Sequence, residues 1–159
     1  MSGEHTLVIG YGNPARGDDG LGCACVNWLV TQGLPLVDTR IGYQLAVEDA
    51  ITLSAYQRVL FVDASVNGAA PFEYYRLTEQ AVRHLDTHSV SPGALMYLAE
   101  TLFAANTLGN VLAIRGYSFT PFDETITARA RENLYAAQGF LAGKLTDRDE
   151  RSTNSVALP

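Results

Sequence analysis

Apolar positions along the chain fall into two alternating patterns. Short apolar or alternating runs predict β-strands at residues 6–9, 36–41, 58–62, 72–77 and 110–114. Between them, apolar residues recur at helical spacing and predict helices over 21–31, 46–55, 92–103 and 125–145. The first helix has Gly33 and Pro35 just beyond its end, and the third opens on Pro92 and Gly93, both regular helix boundary signals. Ala94, Leu95, Leu98 and Leu102 share one face of the third helix. An apolar stripe runs through Ala128, Leu134, Ala137, Phe140 and Leu141 of the last. The strongest strand, RVLFV, stops at Asp63, and residues 78–88 are polar and irregular, with room for one short helix.

Strands alternating with helices imply βαβ units. The expected fold is therefore α/β, a single doubly wound, mostly parallel sheet with helices on both faces. Residues 1–145 form one domain on this reading, and the polar stretch 146–159 is expected to be a mobile tail. Ligands of such sheets bind outside the carboxyl ends of the strands. The loop after the first strand, the end of RVLFV and the segment before the third helix can all meet at that edge.

Composition narrows the function classes. The chain has 159 residues, 47% of them hydrophobic and 18% charged, as in an ordinary folded globule. Its net charge of −6 and the absence of any basic run exclude the footprint of a nucleic-acid binder, and an acidic surface repels anionic lipids. No stretch is long and apolar enough for a membrane span. The N-terminus has no basic region ahead of an apolar one, so no signal peptide is expected and the protein reads as cytoplasmic. The two cysteines, Cys23 and Cys25, point apart on a helix and suit a reducing compartment as small buried residues; a metal-binding pair is the alternative.

The loop GYGNPARGDDGLG, between the first strand and the first helix, is the most informative segment. A dinucleotide-binding loop is its first rival reading. That fingerprint needs a glycine where Ala15 stands, and Asp18 and Asp19 put negative charge where a pyrophosphate would dock. A GxxxxGK[ST] phosphate loop is missing too, since no lysine precedes Lys144. One of the two acids can serve as a helix N-cap. A carboxylate framed by glycines is also a good metal ligand.

Asp63, after its apolar strand, is either a turn cap or a ligand at the carboxyl edge. His88, in THSVSPG, is either a surface or core histidine or a ligand placed just before a helix. Together, two carboxylates and one imidazole suit a divalent ion such as nickel or zinc with positions left open.

These motifs, taken together, resemble the hydrogenase maturation protease family. Its opening pattern, G-x-G-N followed by D-[DE]-x-x-G, is met by Gly10, Gly12, Asn13, Asp18, Asp19 and Gly22. FVDAS supplies its strand ending in Asp-Ala, and His88 before LMYLAETL supplies its histidine. The resemblance runs from Thr6 to about Leu145. It departs in IGYQLAVEDA, which looks like the branch serving NAD-coupled cytoplasmic hydrogenases, and in TPFDETIT before the last helix.

The resemblance implies an endopeptidase that removes the C-terminal extension of the nickel-loaded [NiFe] hydrogenase large-subunit precursor. Asp19, Asp63 and His88 would be both its catalytic and its nickel-recognition residues. The nickel would be supplied by the precursor, and the enzyme would act as a monomer. The alternative is a non-catalytic, nickel-dependent checkpoint or chaperone that binds the same precursor. No serine or cysteine set and no HExxH motif offers a different peptidase chemistry.

Overall fold

The continuous apolar runs become the interior of a sheet buried on both faces. In the computed structural model, which describes residues 4–78 and 90–146, the strands are β1 (Thr6–Tyr11), β2 (Val37–Gly42), β3 (Arg58–Ser65), β4 (Phe72–Arg76) and β5 (Leu108–Arg115). The helices are α1 (Leu21–Thr31), α2 (Asp49–Leu53), α3 (Pro92–Phe103) and α4 (Ala128–Thr146). Strand order is β2-β1-β3-β5-β4. The pairs β1–β2, β1–β3 and β3–β5 are parallel, while β4 closes one edge antiparallel to β5.

Side chains alternate across this sheet as the two-residue period requires. Val8, Leu60, Val62, Leu112 and Ile114 pack under α1 and α4, with Leu21, Val26, Leu134 and Leu141. Leu7, Ile9, Val59, Phe61 and Val111 pack on the other face, with Leu53 of α2 and Leu95 and Ala99 of α3. Helices therefore cover both faces, as a mostly parallel sheet demands. Among the described residues no helix is long and apolar enough to cross a membrane.

The first helix sits unusually close to the sheet. A Cβ on Gly22 would lie 2.4 Å from the Val62 carbonyl oxygen and 2.8 Å from that of Tyr11. Both obstacles are backbone, so neither can swing aside. Gly22→Ala is expected to push α1 off the strands and to destabilise the fold by about 1–3 kcal/mol. A thermal melt checks this, and an unchanged melting temperature would contradict the packing.

Several expectations are corrected. β3 does not stop at Asp63 but runs on to Ser65, because β5 continues beside it with Asp63 opposite Ala113 and Ser65 opposite Arg115. The second helix shortens to Asp49–Leu53, and the last begins at Ala128. In α3 the buried stripe is Ala94, Leu95 and Ala99, whereas Leu102 is 63% exposed. In α4 Ala130 is buried and Ala128 exposed. Residues 79–88 of the irregular stretch lie outside the described residues, as do His88 and the tail from 147 onward.

Candidate active site

The opening loop folds as a short 3-10 turn, Gly17–Gly20, leading directly into α1. Gly12 has a φ of +136°, a conformation that excludes a β-carbon without strain. A Cβ there would also meet the Asp19 carbonyl oxygen at 2.2 Å. This tight fold lets the Asn13 N–H donate to Asp19 Oδ2 at 2.7 Å. Asn13 Oδ1 in turn accepts from the Ala15 N–H at 3.0 Å. The loop thus fixes the Asp19 carboxylate from its own backbone.

Asp63 comes to the same edge by register. β1 pairs with β3 only as far as Gly10 opposite Val62. Asp63 therefore stands one step beyond the shared ladder, beside the end of β1. Tyr11, the last residue of β1, hydrogen-bonds the Asp63 carboxylate through its hydroxyl. The Ala64 N–H donates to Asp63 Oδ1 at 2.7 Å.

Burial pushes the Asp63 carboxyl up to about 6, and the charge of Asp19 adds to the rise, against the pull of the Tyr11 and Ala64 hydrogen bonds. Tyr11 is itself driven far above the ordinary tyrosine range, first by burial and then by Asp63. Nothing in the sequence marks Tyr11 as part of the site: it reads as a residue of the glycine loop, whereas β1 extends through it.

Cys23 lies at the rim. Its thiol contacts the carbonyl oxygens of Gly12 and Gly42, each at 3.6 Å. Burial, then the charges of Asp19 and Asp63, raise its pKa, so it remains a thiol and is no nucleophile at neutral pH. Cys25 is buried in the core, with its thiol pushed up to about 12 by burial alone. Neither cysteine is bonded to the other.

Asp18 has a different role from its neighbour. It is fully buried. Its Oδ2 accepts from the N–H groups of Tyr117 (2.7 Å) and Ser118 (3.1 Å) and from Thr127 Oγ1 (2.8 Å), and its Oδ1 from the Thr127 N–H (2.7 Å). Burial opposes its charge, but these four bonds outweigh it and hold the carboxyl below the usual carboxylate range. The cap expected of one loop acid is not made: Gly20 stands at the N-cap of α1 with no side-chain bond. Asp18 instead ties the opening loop to the segment between β5 and α4. Backbone bonds from Gly17 N to Asp123 O and from Asp18 N to Ser118 O reinforce the tie.

Among the described residues, Asp19 and Asp63 are thus brought to one edge, while no group of three or more histidine, cysteine or acidic side chains is poised to hold a metal ion. A carboxylate pair held this way attracts a cation and can accept a proton. It opposes a phosphate. Calorimetry with NAD, FMN or ATP is expected to show no binding tighter than about 1 mM; a micromolar affinity would reinstate the nucleotide reading.

No protein-family model and no curated protein matches the chain. Solved structures do. The chain is similar to the hydrogenase 2 maturation peptidase from Thaumarchaeota archaeon SCGC_AB-539-E09, with 24% identity, a TM-score of 0.66, and 89% of this chain and 98% of that one covered. The fold is that of the hydrogenase maturation peptidases. The [NiFe] hydrogenase maturation protease HycI from Thermococcus kodakarensis KOD1 matches with a TM-score of 0.69 at 19% identity, over 91% of this chain and 94% of that one. The hydrogenase maturating endopeptidase HYBD from E. coli matches with 0.67 at 20%, over the same shares.

Proposed function

We propose that the chain is an endopeptidase that removes the C-terminal extension of a nickel-loaded [NiFe] hydrogenase large-subunit precursor, with Asp19, Asp63 and His88 as the residues that grip the nickel. The observation that carries this reading is the meeting of Asp19 and Asp63 at the carboxyl edge of a maturation-peptidase fold. Two like charges in a half-buried edge are an unbalanced arrangement, and a divalent cation relieves it.

The topology of α3 supports the third ligand. The helix feeds β5 at Leu108, the amino end of that strand, so its first turn lies toward the carboxyl edge. Ser91 caps that turn, its Oγ accepting from the Ala94 N–H at 3.1 Å. His88 precedes Ser91 closely in the chain, and three residues span about 10 Å at most.

In the reaction the nickel is cargo of the substrate. Its capture by the two carboxylates and the imidazole fixes the scissile peptide over the edge, converting an encounter into an oriented, intramolecular-like reaction. A water oxygen attacks the peptide carbonyl carbon; one carboxylate takes the water proton, and the departing amine receives it as the C–N bond breaks. An unloaded precursor lacks the anchor and is left intact. The buried free thiols of Cys23 and Cys25 suit the cytoplasm as the place of work.

Incubation of the purified chain with nickel-loaded precursor, followed by mass measurement, tests the proposal. Loss of the C-terminal extension is expected with nickel-loaded precursor and not with unloaded precursor. Binding without cleavage would instead make the chain a checkpoint or chaperone.

A further inference from the structure

We propose that the open edge of β2 is the docking strand for the substrate: an extended stretch of the precursor near its cleavage point pairs with β2 as an added strand. This rests on the peptidase reading above.

Among the described residues β2 ends the sheet on one side. The bonds from Thr6 N to Leu36 O and from Gly12 N to Gly42 O show which of its residues face β1. Since backbone groups alternate sides along a strand, residues 36, 38, 40 and 42 turn inward. The N–H and C=O groups of Val37, Thr39 and Ile41 therefore turn outward. Thr39 is exposed and Ile41 is 40% exposed.

Edge strands are ordinarily blunted by charges, proline or a bulge. Here the two charges of the strand are engaged elsewhere. Asp38 accepts from the Tyr56 hydroxyl at 2.7 Å, and Arg40 pairs with the buried Asp49 of α2. Pro35 lies before the strand and not in it. The outward positions carry no charge at all.

The edge also leads to the right place. At its carboxyl end a cleft of about 230 Å³ is lined by Gly12, Pro14, Cys23, Ile41, Gly42 and Tyr43. Gly12 opens the loop that holds Asp19. Tyr43, 75% exposed, extends the apolar rim. A peptide strand on β2 therefore places alternate side chains in this cleft and runs on toward the carboxylates. β3 lies two strand spacings from β2, so a peptide on the outer edge is about 15 Å from Asp63, or about four to five extended residues. The edge grips the substrate that far from the scissile bond. An endopeptidase needs its substrate extended, and strand addition supplies that conformation through main-chain bonds while the cleft reads side chains.

The test uses the full chain and nickel-loaded precursor. Thr39→Pro removes one outward N–H and leaves the ladder to β1 intact. Its KM is expected to rise about tenfold, as for loss of one well-made hydrogen bond, with kcat little changed. Thr39→Val, which keeps the N–H, is expected to match the wild type. Hydrogen exchange on the wild-type chain, quenched within seconds of adding precursor, is expected to show the Thr39 and Ile41 amides slowed at least about tenfold. This second measurement stands if the proline variant fails to fold. Wild-type cleavage with no protection of these amides overturns the docking and leaves the peptidase reading standing. No cleavage by the wild type overturns both. Protection that grows with the concentration of the chain alone assigns the edge to a second copy and overturns the proposal.

Discussion

Asp63→Asn is expected to abolish precursor processing while raising the melting temperature of the metal-free chain above neutral pH. The two effects share one cause. The carboxylate is held half-buried near Asp19, and its pKa is raised to about 6. In the unfolded chain it titrates near the ordinary value for an aspartate. Below about pH 4 both states are protonated and the group contributes nothing to the pH dependence. Between pH 4 and 6 the unfolded state gives up its proton first, so folding stability falls as pH rises. Above pH 6 the deficit is constant. The amide keeps the shape and removes the charge, so at pH 8 the variant should gain on the order of 1–3 kcal/mol, and at pH 4 almost nothing.

Function moves the other way. The amide neither attracts a cation nor takes a proton, and a loss on the order of 10³ in processing is expected. Precursor gel shifts and paired melts at pH 4 and 8 measure both. Wild-type processing would remove Asp63 from the site. A lower melting temperature at pH 8 would mean the fold favours the charged form.

Asp18→Asn should do the opposite, harming the fold first. All four bonds to the Asp18 carboxylate are made by donors, three N–H groups and one hydroxyl. An amide must point its own N–H groups at some of them, leaving buried groups unpaired. Breaking a buried charged network of this kind costs about 3–5 kcal/mol, which lowers the melting temperature of a domain this size by about 10 °C. The folded pKa of Asp18 lies below its unfolded value. Its stabilisation is therefore present above about pH 4 and is lost as the pH falls through the depressed folded pKa. Urea titrations of wild type and variant should differ at pH 7 and converge only in strong acid. A midpoint shift near zero at pH 7 would show that the segment from Tyr117 to Thr127 is held by its backbone bonds alone.

The sequence could be read as far as its signals are local. The bounds of α1 follow from a glycine loop before it and from Gly33 and Pro35 after it, and they match the structure. The continuous apolar runs of β1 and β3 mark two buried strands, whose carboxyl ends define the edge where Asp19 and Asp63 meet. The end of β3 was not legible, because the pairing of Asp63–Ser65 is decided by β5, which lies far along the chain. The role of Asp18 was hidden for the same reason: Tyr117 and Thr127 are 99 and 109 residues away. Next to a helix start, an aspartate looks like a cap whether it is one or not. In α3, helical spacing alone cannot tell the stripe through Leu95 and Ala99 from one through Leu98 and Leu102; the position of the sheet chooses.

The tie between the opening loop and the segment before α4 also governs when the site can exist. Asp18 emerges early in synthesis, and its donors at Tyr117, Ser118 and Thr127 emerge about a hundred residues later. At cellular rates of about 5–20 residues per second, the loop waits about 5–20 s for them. Through that interval the Asp18 carboxylate has none of these partners, and the loop that carries Asp19 lacks its tie to the segment before α4. The edge that carries Asp19 and Asp63 therefore takes its final form only after Thr127 has been made. A nascent chain halted before Thr127 carries β1, β3 and both acids yet lacks the Thr127 bonds that anchor the opening loop. Arrival of the segment from Tyr117 to Thr127, rather than the appearance of Asp19 and Asp63, sets when that edge can form.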